Sequence, residues 1–412
     1  MFLFKKVKAG ALQYVLVVSV IIAILILTFI TLMHLHQKVK LKGVLYKKSI
    51  ENVQYTFDLL ETQKINNDNT TKNQLDNTTT TFKNWGIYKI AHVTTTKNNE
   101  FFEKVGLLGG FKQKKKALYL QENNKPLAVV GNTKIIGDAN IPKLGIKRGN
   151  IAGTSYNSNT LLYGKSTLSS TKLPEIENIS VLKEYFSSAL LNSKVSFFEL
   201  EEGKHFKNSF KKETLVYNSN YPIYLRNISL TGNILIKSNS NITIHSSAIL
   251  EDVIVIAPKI IIQNRVKGIF QAFAKDTIEV KSNTTLNYPS ALVVVNENKI
   301  DNNNSPEISI DDNCQIKGSI LLYSTSESMN FNPQVHIKEK TTITGEIYCN
   351  QNLELMGTVY GSVYTNHFLT KQFGSTYINH LYHAEINSTK LPIQFCGLPL
   401  EHQKYTVAKW LY

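Results

Sequence analysis

One unbroken apolar run lies close to the start of the chain, at residues 11–33 (ALQYVLVVSVIIAILILTFITLM). The run contains no charged side chain. As a helix it would span about 35 Å, enough to cross a hydrocarbon core of about 30 Å. A cleaved signal peptide is the alternative, but its apolar region is shorter, at about 7–15 residues, and ends at a small-x-small site. The pattern therefore predicts a retained transmembrane helix over residues 11–34.

The hydrophobic pattern changes twice after this run. Residues 35–63 keep apolar positions near helical spacing, which predicts a helical stalk that continues the anchor. Residues 64–81 are polar and low in complexity, which is typical of a linker or a long exposed loop. Residues 82–221 mix short β runs with a helix near 174–191. The organisation is a basic head or leader at 1–10, an anchor, a stalk, and then mostly β structure.

Residues 222–387 have short alternating apolar runs that are separated by Asn, Ser, Asp and Gly turns. One phrase recurs there, as LTGNILI, IKGSILL, ITGEIYC and LMGTVYGSVY. In such a phrase, one side chain points into a narrow core, the backbone turns at Gly, and the next apolar residue points inward again. Stacked coils then share a core that no single coil has. The turn glycines are Gly232, Gly318, Gly345, Gly357 and Gly361.

The fold class predicted from these patterns is mainly β. A single transmembrane helix is followed by a right-handed parallel β-helix with some helical insertions, and residues 388–412 form a C-terminal tail or cap. A β-sandwich is the alternative, because short alternating strands with frequent turns also fit it. The repeated Gly phrase and the many three-residue strands favour the β-helix.

The junction before the apolar run, Lys8-Ala9-Gly10-Ala11-Leu12, resembles the N-terminus of type IV pilins and type II secretion pseudopilins. This resemblance implies cleavage between Gly10 and Ala11 and methylation of the new N-terminus. Most members carry Glu at the fifth mature position, whereas this chain has Val15. A minor, tip-located class lacks that Glu and is the closer match.

The same resemblance implies that the apolar helix packs against the helices of other subunits. The residues expected on that packing surface are Leu12, Val15, Val18, Ile22, Leu25 and Phe29. The phrasing of the C-terminal half of the chain looks like that of the bactofilins and related polymer-forming β-helical proteins. That second likeness informs the fold more than the function.

The charge of the chain raises the question of nucleic acid. The net charge is +15, and one dense basic patch comprises Lys112, Lys114, Lys115 and Lys116. Such a patch can bind an anionic surface. No aromatic stacking platform or nucleic-acid module accompanies it, so a solvated loop is the better interpretation and no specific nucleic acid is expected. The three cysteines, Cys314, Cys349 and Cys396, allow at most one disulfide.

Two motifs could carry chemistry, and neither is complete. Gly164-Lys165-Ser166-Thr167 matches the end of a phosphate-binding loop, but Asn159 holds the position where that motif needs its first Gly. His380 and His383, with His367 and Glu385 nearby, could supply metal ligands. No metalloprotease signature or cysteine pair accompanies them, so surface histidines on successive β positions are the expected interpretation.

Carbohydrate chemistry enters by analogy, because β-helices often house polysaccharide lyases and hydrolases. The acidic candidates are Glu251-Asp252 and Asp311-Asp312, which lie where turns are expected. Adjacent acidic residues on a strand would face opposite sides. The sequence therefore predicts no catalytic residue, no cofactor and no metal site.

The expected function is structural: a membrane-anchored bacterial envelope protein, a minor pilin-like or pseudopilin-like component that displays a β-helical domain. A non-pilin, bactofilin-like scaffold and a membrane-tethered carbohydrate-binding or carbohydrate-cleaving protein are the alternatives. The expected partners are the lipid bilayer, other pilin-like subunits or further copies of the chain, and a glycan or surface ligand. The expected location is the inner membrane, with a single pass and the C-terminal domain in the periplasm or on the cell surface.

Overall fold

The computed structural model describes residues 9–62, 70–72, 78–98, 100–177, 179–187, 195–297, 305–325, 331–401 and 403–412. The described chain is mainly β, and it forms two compact units. The first contains the N-terminal helix up to Asp58, with Thr71–Thr80 and Val93–Glu103. The second contains Leu59–Thr70, Thr81–His92 and Lys104–Tyr412.

Helix α1 (Ala9–Thr62) is one continuous helix of 54 residues. At about 1.5 Å per residue it is roughly 80 Å long. It passes without a break through the segments that the sequence divides into anchor (11–34) and stalk (35–63). Gly43 lies inside it, and a Cβ at this position would meet no atom within 4 Å.

An antiparallel sheet follows the helix. Its strands are β1 (Thr70–Lys72), β2 (Thr78–Trp85), β3 (Tyr88–Lys97), β4 (Glu100–Phe111) and β31 (Lys404–Leu411), and they lie in this order across the sheet. A tight turn connects β2 to β3, so these neighbours run antiparallel. Strand β31 pairs antiparallel with β4, from Lys404 opposite Phe111 to Leu411 opposite Val105.

Two segments predicted to lack regular structure contribute strands to this sheet. The predicted linker at 64–81 contains β1 and the start of β2, and the predicted tail at 388–412 contains β31. Residues 63–69 and 73–77 of that linker lie outside the described residues. Strand β1 and the start of β2 form in this polar segment because strand pairing depends on partners elsewhere in the chain as well as on local composition.

In the first unit, the C-terminal half of α1 packs on this sheet. Lys42 Nζ is 2.9 Å from Glu100 Oε1. The rings of Tyr46 and Phe102 meet edge to face, with centroids 5.5 Å apart. Buried helix residues of this unit then follow at spacings of four, three and one: Ser49, Val53, Thr56 and Phe57. This spacing makes one continuous stripe on the helix.

The rest of the second unit is a parallel β-solenoid. Its first chain segment, before helix α2, contains β5 (Leu118–Leu120), β6 (Leu127–Val130), β7 (Lys134–Ile136), β8 (Ala139–Ile141), β9 (Ile146–Arg148), β10 (Asn150–Ile151), β11 (Thr154–Ser155) and β12 (Ser166–Leu168). Strands β10 and β11 form a small antiparallel hairpin. A short helix, α2 (Ile179–Glu184), then lies within the stretch where the sequence predicts a helix.

The longer part of the solenoid follows α2. Its strands are β13 (Val195–Phe197), β14 (His205–Asn208), β15 (Thr214–Ser219), β16 (Ile223–Leu225), β17 (Ser229–Gly232), β18 (Ile234–Ser238), β19 (Asn241–Ile244), β20 (Ile249–Ile262), β21 (Lys267–Val280), β22 (Thr285–Asn296), β23 (Glu307–Ile310), β24 (Gln315–Ser324), β25 (Val335–Ile337), β26 (Thr342–Leu355), β27 (Thr358–Gln372), β28 (Ser375–Ile378), β29 (His380–Tyr382) and β30 (Glu385–Asn387). A 3₁₀ turn, Ser388–Lys390, ends it.

Three parallel ladders make up the faces of the solenoid. Face A contains the column Ala291, Ser319, Glu346 and Ser362, in which each residue pairs with the next. Face B precedes it in each coil and contains Gly318, Gly345 and Gly361. Face C contains Ile278, Ile308 and Val335. Parallel ladders exclude the β-sandwich alternative, whose sheets are antiparallel, and they confirm the predicted β-helix.

The solenoid is built from two chain segments that stack in reverse sequence order. Leu118 pairs with Val363, Ala128 pairs with His380, and Lys134 pairs with Glu385. Residues 118–168 therefore continue the stack beyond the last coil of residues 195–387. The solenoid begins well before the predicted bounds of 222–387, because its first coils find their partners only in a distant part of the chain.

Alternate positions on each face A strand enter two different cores. Ile320 and Ile347 belong to the core inside the solenoid. Leu321 and Tyr348, the next residues along the strands, belong to a second core that also contains Trp85 from the antiparallel sheet. Face A is thus buried on both sides, while β4 and β31 carry the chain into and out of the solenoid.

Candidate functional site

The uncovered apolar half of α1 is the main candidate functional surface. The helix from Gly10 to Glu61 is long and apolar enough to cross a membrane. Its most apolar 18-residue window has a mean hydropathy of 3.2, and none of that window is buried by the rest of the chain. A helix that is apolar on all sides and uncovered needs another apolar phase around it.

The predicted packing residues all lie on this surface and are exposed. Their exposed fractions are Leu12 75%, Val15 67%, Val18 40%, Ile22 50%, Leu25 62% and Phe29 63%. They do not converge on a pocket, and they are distributed along the outside of one helix. The structure therefore leaves this whole set available to lipid or to another helix.

The serine and threonine hydroxyl groups within the apolar half are satisfied by the helix itself. Ser19 Oγ donates to Leu16 O, and Thr28 Oγ1 donates to Leu25 O, both at 2.8 Å. Thr31 Oγ1 donates to Thr28 O at 2.8 Å. A bilayer offers no water to such groups, so internal bonds make the segment compatible with it.

The predicted processing site lies at the start of α1. Gly10 is exposed within the first turn, and a Cβ there would meet nothing within 4 Å. Ala11 follows on the same turn. The basic head with Lys5, Lys6 and Lys8 lies outside the described residues. The Gly10–Ala11 bond therefore lies in the first described turn of a long helix.

Three of the five predicted turn glycines form one stack. Gly318, Gly345 and Gly361 stack directly in consecutive coils. A Cβ at Gly345 would lie 1.7 Å from Gly318 O, and one at Gly361 would lie 1.7 Å from Gly345 O. Gly361, rather than Gly357, therefore occupies the equivalent position in the last phrase. Gly357 lies before β27, where a Cβ would be 2.5 Å from Thr341 O.

Gly232 belongs to an earlier coil than these three. It pairs with Asn208 and has a φ of 93°. A Cβ there would lie 2.0 Å from Asn208 O. The close approach of successive coils therefore requires glycine here as well.

The phosphate-loop candidate has the wrong local structure. Ser166 and Thr167 belong to β12, an extended strand that pairs with β8. Lys165 N donates to Asp138 Oδ1 at 2.9 Å. A phosphate loop requires a helix N-terminus after the lysine, so this segment is a coil corner.

The histidine candidates point to different local partners. His380 Nδ1 is 2.8 Å from Ile378 O, and His383 Nδ1 accepts from Asn132 N at 3.3 Å. Burial, with a smaller contribution from Lys125, lowers the pKa of His367. Across the described ranges, no three His, Cys, Asp or Glu side chains converge on a metal position.

Three of the four acidic candidates, Glu251, Asp252 and Asp311, form ion pairs with lysines. Lys409 Nζ donates to Asp252 Oδ1 at 2.8 Å and to Asp252 Oδ2 at 2.7 Å, and the Asp252 side chain is 3% exposed. Burial raises the pKa of Asp252, and the bond from Lys409 partly offsets that effect. Lys338 Nζ lies 2.6 Å from Asp311 Oδ1. These contacts hold the fold together.

Two lysines of the basic patch also turn toward the protein. Lys115 Nζ donates to Phe395 O and lies 4.7 Å from the centroid of the Phe395 ring. Lys116 Nζ donates to Asn140 Oδ1 at 2.6 Å. Lys112 and Lys114 are exposed. The patch is therefore split between two lysines that support the fold and two that face solvent.

The three cysteines form no disulfide. Cys314, Cys349 and Cys396 are all buried and free. Burial raises the pKa of Cys349 to about 12. A buried thiol with a raised pKa is a poor nucleophile, so these residues act as small apolar side chains.

Sequence reasoning missed one buried acid. Glu346, on face A, is 3% exposed, and its Oε2 accepts from Leu398 N at 2.9 Å. Burial raises the pKa of its carboxyl group, and Lys115 partly offsets this. The alternation of ITGEIYC shows that Glu346 points out of the solenoid, but nothing in the local sequence shows that another layer covers it.

Comparison with known proteins gave no relative. No family model matches the chain, and no curated protein or solved structure is significantly similar to it.

Proposed function

We propose that the protein is a membrane-anchored structural component of the bacterial envelope, a minor pilin-like or pseudopilin-like subunit that displays a β-solenoid. One observation carries the proposal: α1 is a single helix of 54 residues whose apolar first half is uncovered. Its second half is held on a β-sheet by a buried stripe and by the Lys42–Glu100 pair.

The mechanism follows from the two halves of the helix. The uncovered half holds the subunit in the inner membrane and packs laterally against similar helices of other subunits. The packed half joins the membrane anchor to the folded domain. A position of the solenoid in the periplasm or on the cell surface is supported by its length, because long domains cross a membrane largely regardless of charge.

The Gly10–Ala11 junction supports the pilin-like form of the proposal over a simple anchor. Its test is the mass of the mature N-terminus, measured on the protein from native membranes. We expect a chain that begins at Ala11 and carries an N-methyl group. An intact Met1 would contradict pilin-type processing and leave an anchored scaffold. A start beyond Met33 would contradict the anchor itself.

A second candidate, the self-associating scaffold, has one observation in its favour. Strand β12 pairs only with β8 among the described strands, and Leu168 at its end is 70% exposed. An unpaired edge strand can pair with another chain. A Leu168→Lys variant that abolishes assembly, from a chain that retains Met1, would favour this scaffold over the pilin-like subunit.

A further inference from the structure

An apolar groove lies on the outer side of face B in the second unit. It has a volume of about 240 Å³, and it is lined by Tyr288, Lys317, Thr344, Pro392, Gln394, Phe395, Val407 and Ala408. One wall comes from three successive coils of the solenoid, another from residues 392–395, and a third from β31. Because neighbouring coils are about 4.8 Å apart, a wall of three coils makes the groove roughly 10 Å long.

The walls of the groove are held in place by contacts that do not involve a ligand. The Tyr288 hydroxyl donates to Cys396 O at 3.0 Å and accepts from Cys396 N at 3.2 Å. The rings of Tyr288 and Phe395 lie 5.3 Å apart. Phe395 N donates to Pro392 O at 3.0 Å, which closes the turn that forms the tail wall. The groove is therefore preformed.

The polar groups of the groove select the charge of an occupant. Lys317 is exposed, and within the described ranges it makes no ion pair. The Tyr288 hydroxyl is already bonded to the backbone of Cys396. The remaining polar side chains that line the groove are the Thr344 hydroxyl and the Gln394 amide. The lining contains no acidic side chain. One cation beside two neutral groups matches a monoanionic head group.

We propose that this groove binds a single-chain fatty carboxylate. The alkyl chain has the Tyr288 and Phe395 rings on one side and the side chains of Val407 and Ala408 on the other. The carboxylate pairs with Lys317. The volume is below the roughly 300–1,000 Å³ of pockets for drug-sized ligands, so a narrow chain fits better than a bulky ring system. This inference stands independently of pilin-type processing.

The test uses the full chain in phosphatidylcholine nanodiscs and a decanoate that carries a photoreactive diazirine. After irradiation, mass spectrometry locates the label. We expect label on residues 392–395 and on β31. Unlabelled decanoate should compete, whereas decyltrimethylammonium, a cation with the same chain, should compete about tenfold less well. Equal competition by the cation would overturn the assignment of a carboxylate.

Three variants and a control make the site specific. Ala408→Phe fills the groove from β31, and Thr344→Phe fills it from the solenoid. Each should remove most of the groove label, and the unfolding midpoint reports whether the variant is folded. Lys317→Glu should weaken decanoate binding about tenfold. Lys147→Glu, an exposed lysine on strand β9, should change nothing. Label confined to α1, or unchanged in folded Ala408→Phe and Thr344→Phe, would overturn the proposal.

Discussion

The apolar side chains of α1 and those inside the solenoid are chemically alike, but the chain buries only the second set. Ile22 is 50% exposed and Leu25 is 62% exposed, whereas Ile320 and Ile347 are fully buried. The solenoid supplies its own core through stacked coils. The helix needs lipid or other helices to cover it. The same substitution should therefore affect the stability of the folded domain differently in the two regions.

The largest difference is expected for a single added methyl group. In Gly345→Ala, the new Cβ would lie 1.7 Å from Gly318 O, so the coils must separate. We expect a loss of about 4 kcal/mol or more in the free energy of unfolding. Gly43→Ala is the matched control, because its Cβ meets nothing within 4 Å and Ala favours a helix by about 1 kcal/mol. Urea unfolding measures both, and similar midpoints would contradict the stacked-coil account.

The next difference comes from removing a large apolar side chain. Ile347→Ala leaves a cavity in the solenoid core and should cost about 2–5 kcal/mol. Ile22→Ala removes the same atoms from an uncovered helix surface and should leave the β unfolding transition unchanged. Circular dichroism during thermal unfolding distinguishes them. A lowered transition in Ile22→Ala would show that the folded domain covers this part of α1.

A buried ion pair ties β31 to the solenoid, and its removal should have a smaller effect. In Lys409→Met, the Asp252 carboxylate, with its side chain 3% exposed, loses its cation. We expect destabilisation of about 2 kcal/mol, because a buried polar group that loses its partner costs about 1–3 kcal/mol. Lys204→Met is the control, since Lys204 and Glu201 are each 60% exposed and such pairs contribute little. Equal effects of the two substitutions on the urea midpoint would contradict a structural role for the pair.

The smallest effect concerns pH. Burial raises the pKa of Glu346 above its ordinary value of 4.5, so the folded chain holds the proton more tightly than the unfolded chain does. The resulting stabilisation is present below about pH 4.5 and is lost as the pH rises through the folded pKa, by at most about 1.4 kcal/mol per pH unit.

Glu346→Gln keeps an acceptor for Leu398 N and removes this titration. The difference in stability between Glu346→Gln and the wild type should therefore grow in favour of Gln as the pH rises. The exposed Glu401→Gln is the control. Parallel pH curves for the wild type and Glu346→Gln would show that Glu346 does not titrate differently on folding.

The sequence predicted the parts of the fold that local patterns encode. The apolar run and the stalk appear as α1 because an uninterrupted apolar run of this length favours a helix and the stalk keeps apolar positions at helical spacing. The Gly phrases appear as stacked coils because Gly and apolar residues recur at fixed offsets. The reversed stacking was not predictable, since Leu118 finds its partner Val363 only in the folded chain.

The candidate sites show the same limit. The helix surface was predictable because its apolar positions are consecutive. The apolar groove was not, because Tyr288 lies far along the chain from Phe395 and Ala408. The local pattern predicts a tail where β31 lies, because its partner β4 occurs far earlier in the chain. Local pattern carries no information about such long-range pairing.

The most direct test of the central claim is cysteine cross-linking in native membranes. Single cysteines replace Ile22 or Leu25 on α1, and Lys147→Cys on the exposed side of the solenoid is the control. The three native thiols are buried and free, which limits background. Lateral packing of the apolar half predicts cross-linked dimers and higher species from Ile22→Cys and Leu25→Cys, and none from Lys147→Cys. Monomers from both helix variants would contradict the filament-type packing of this helix.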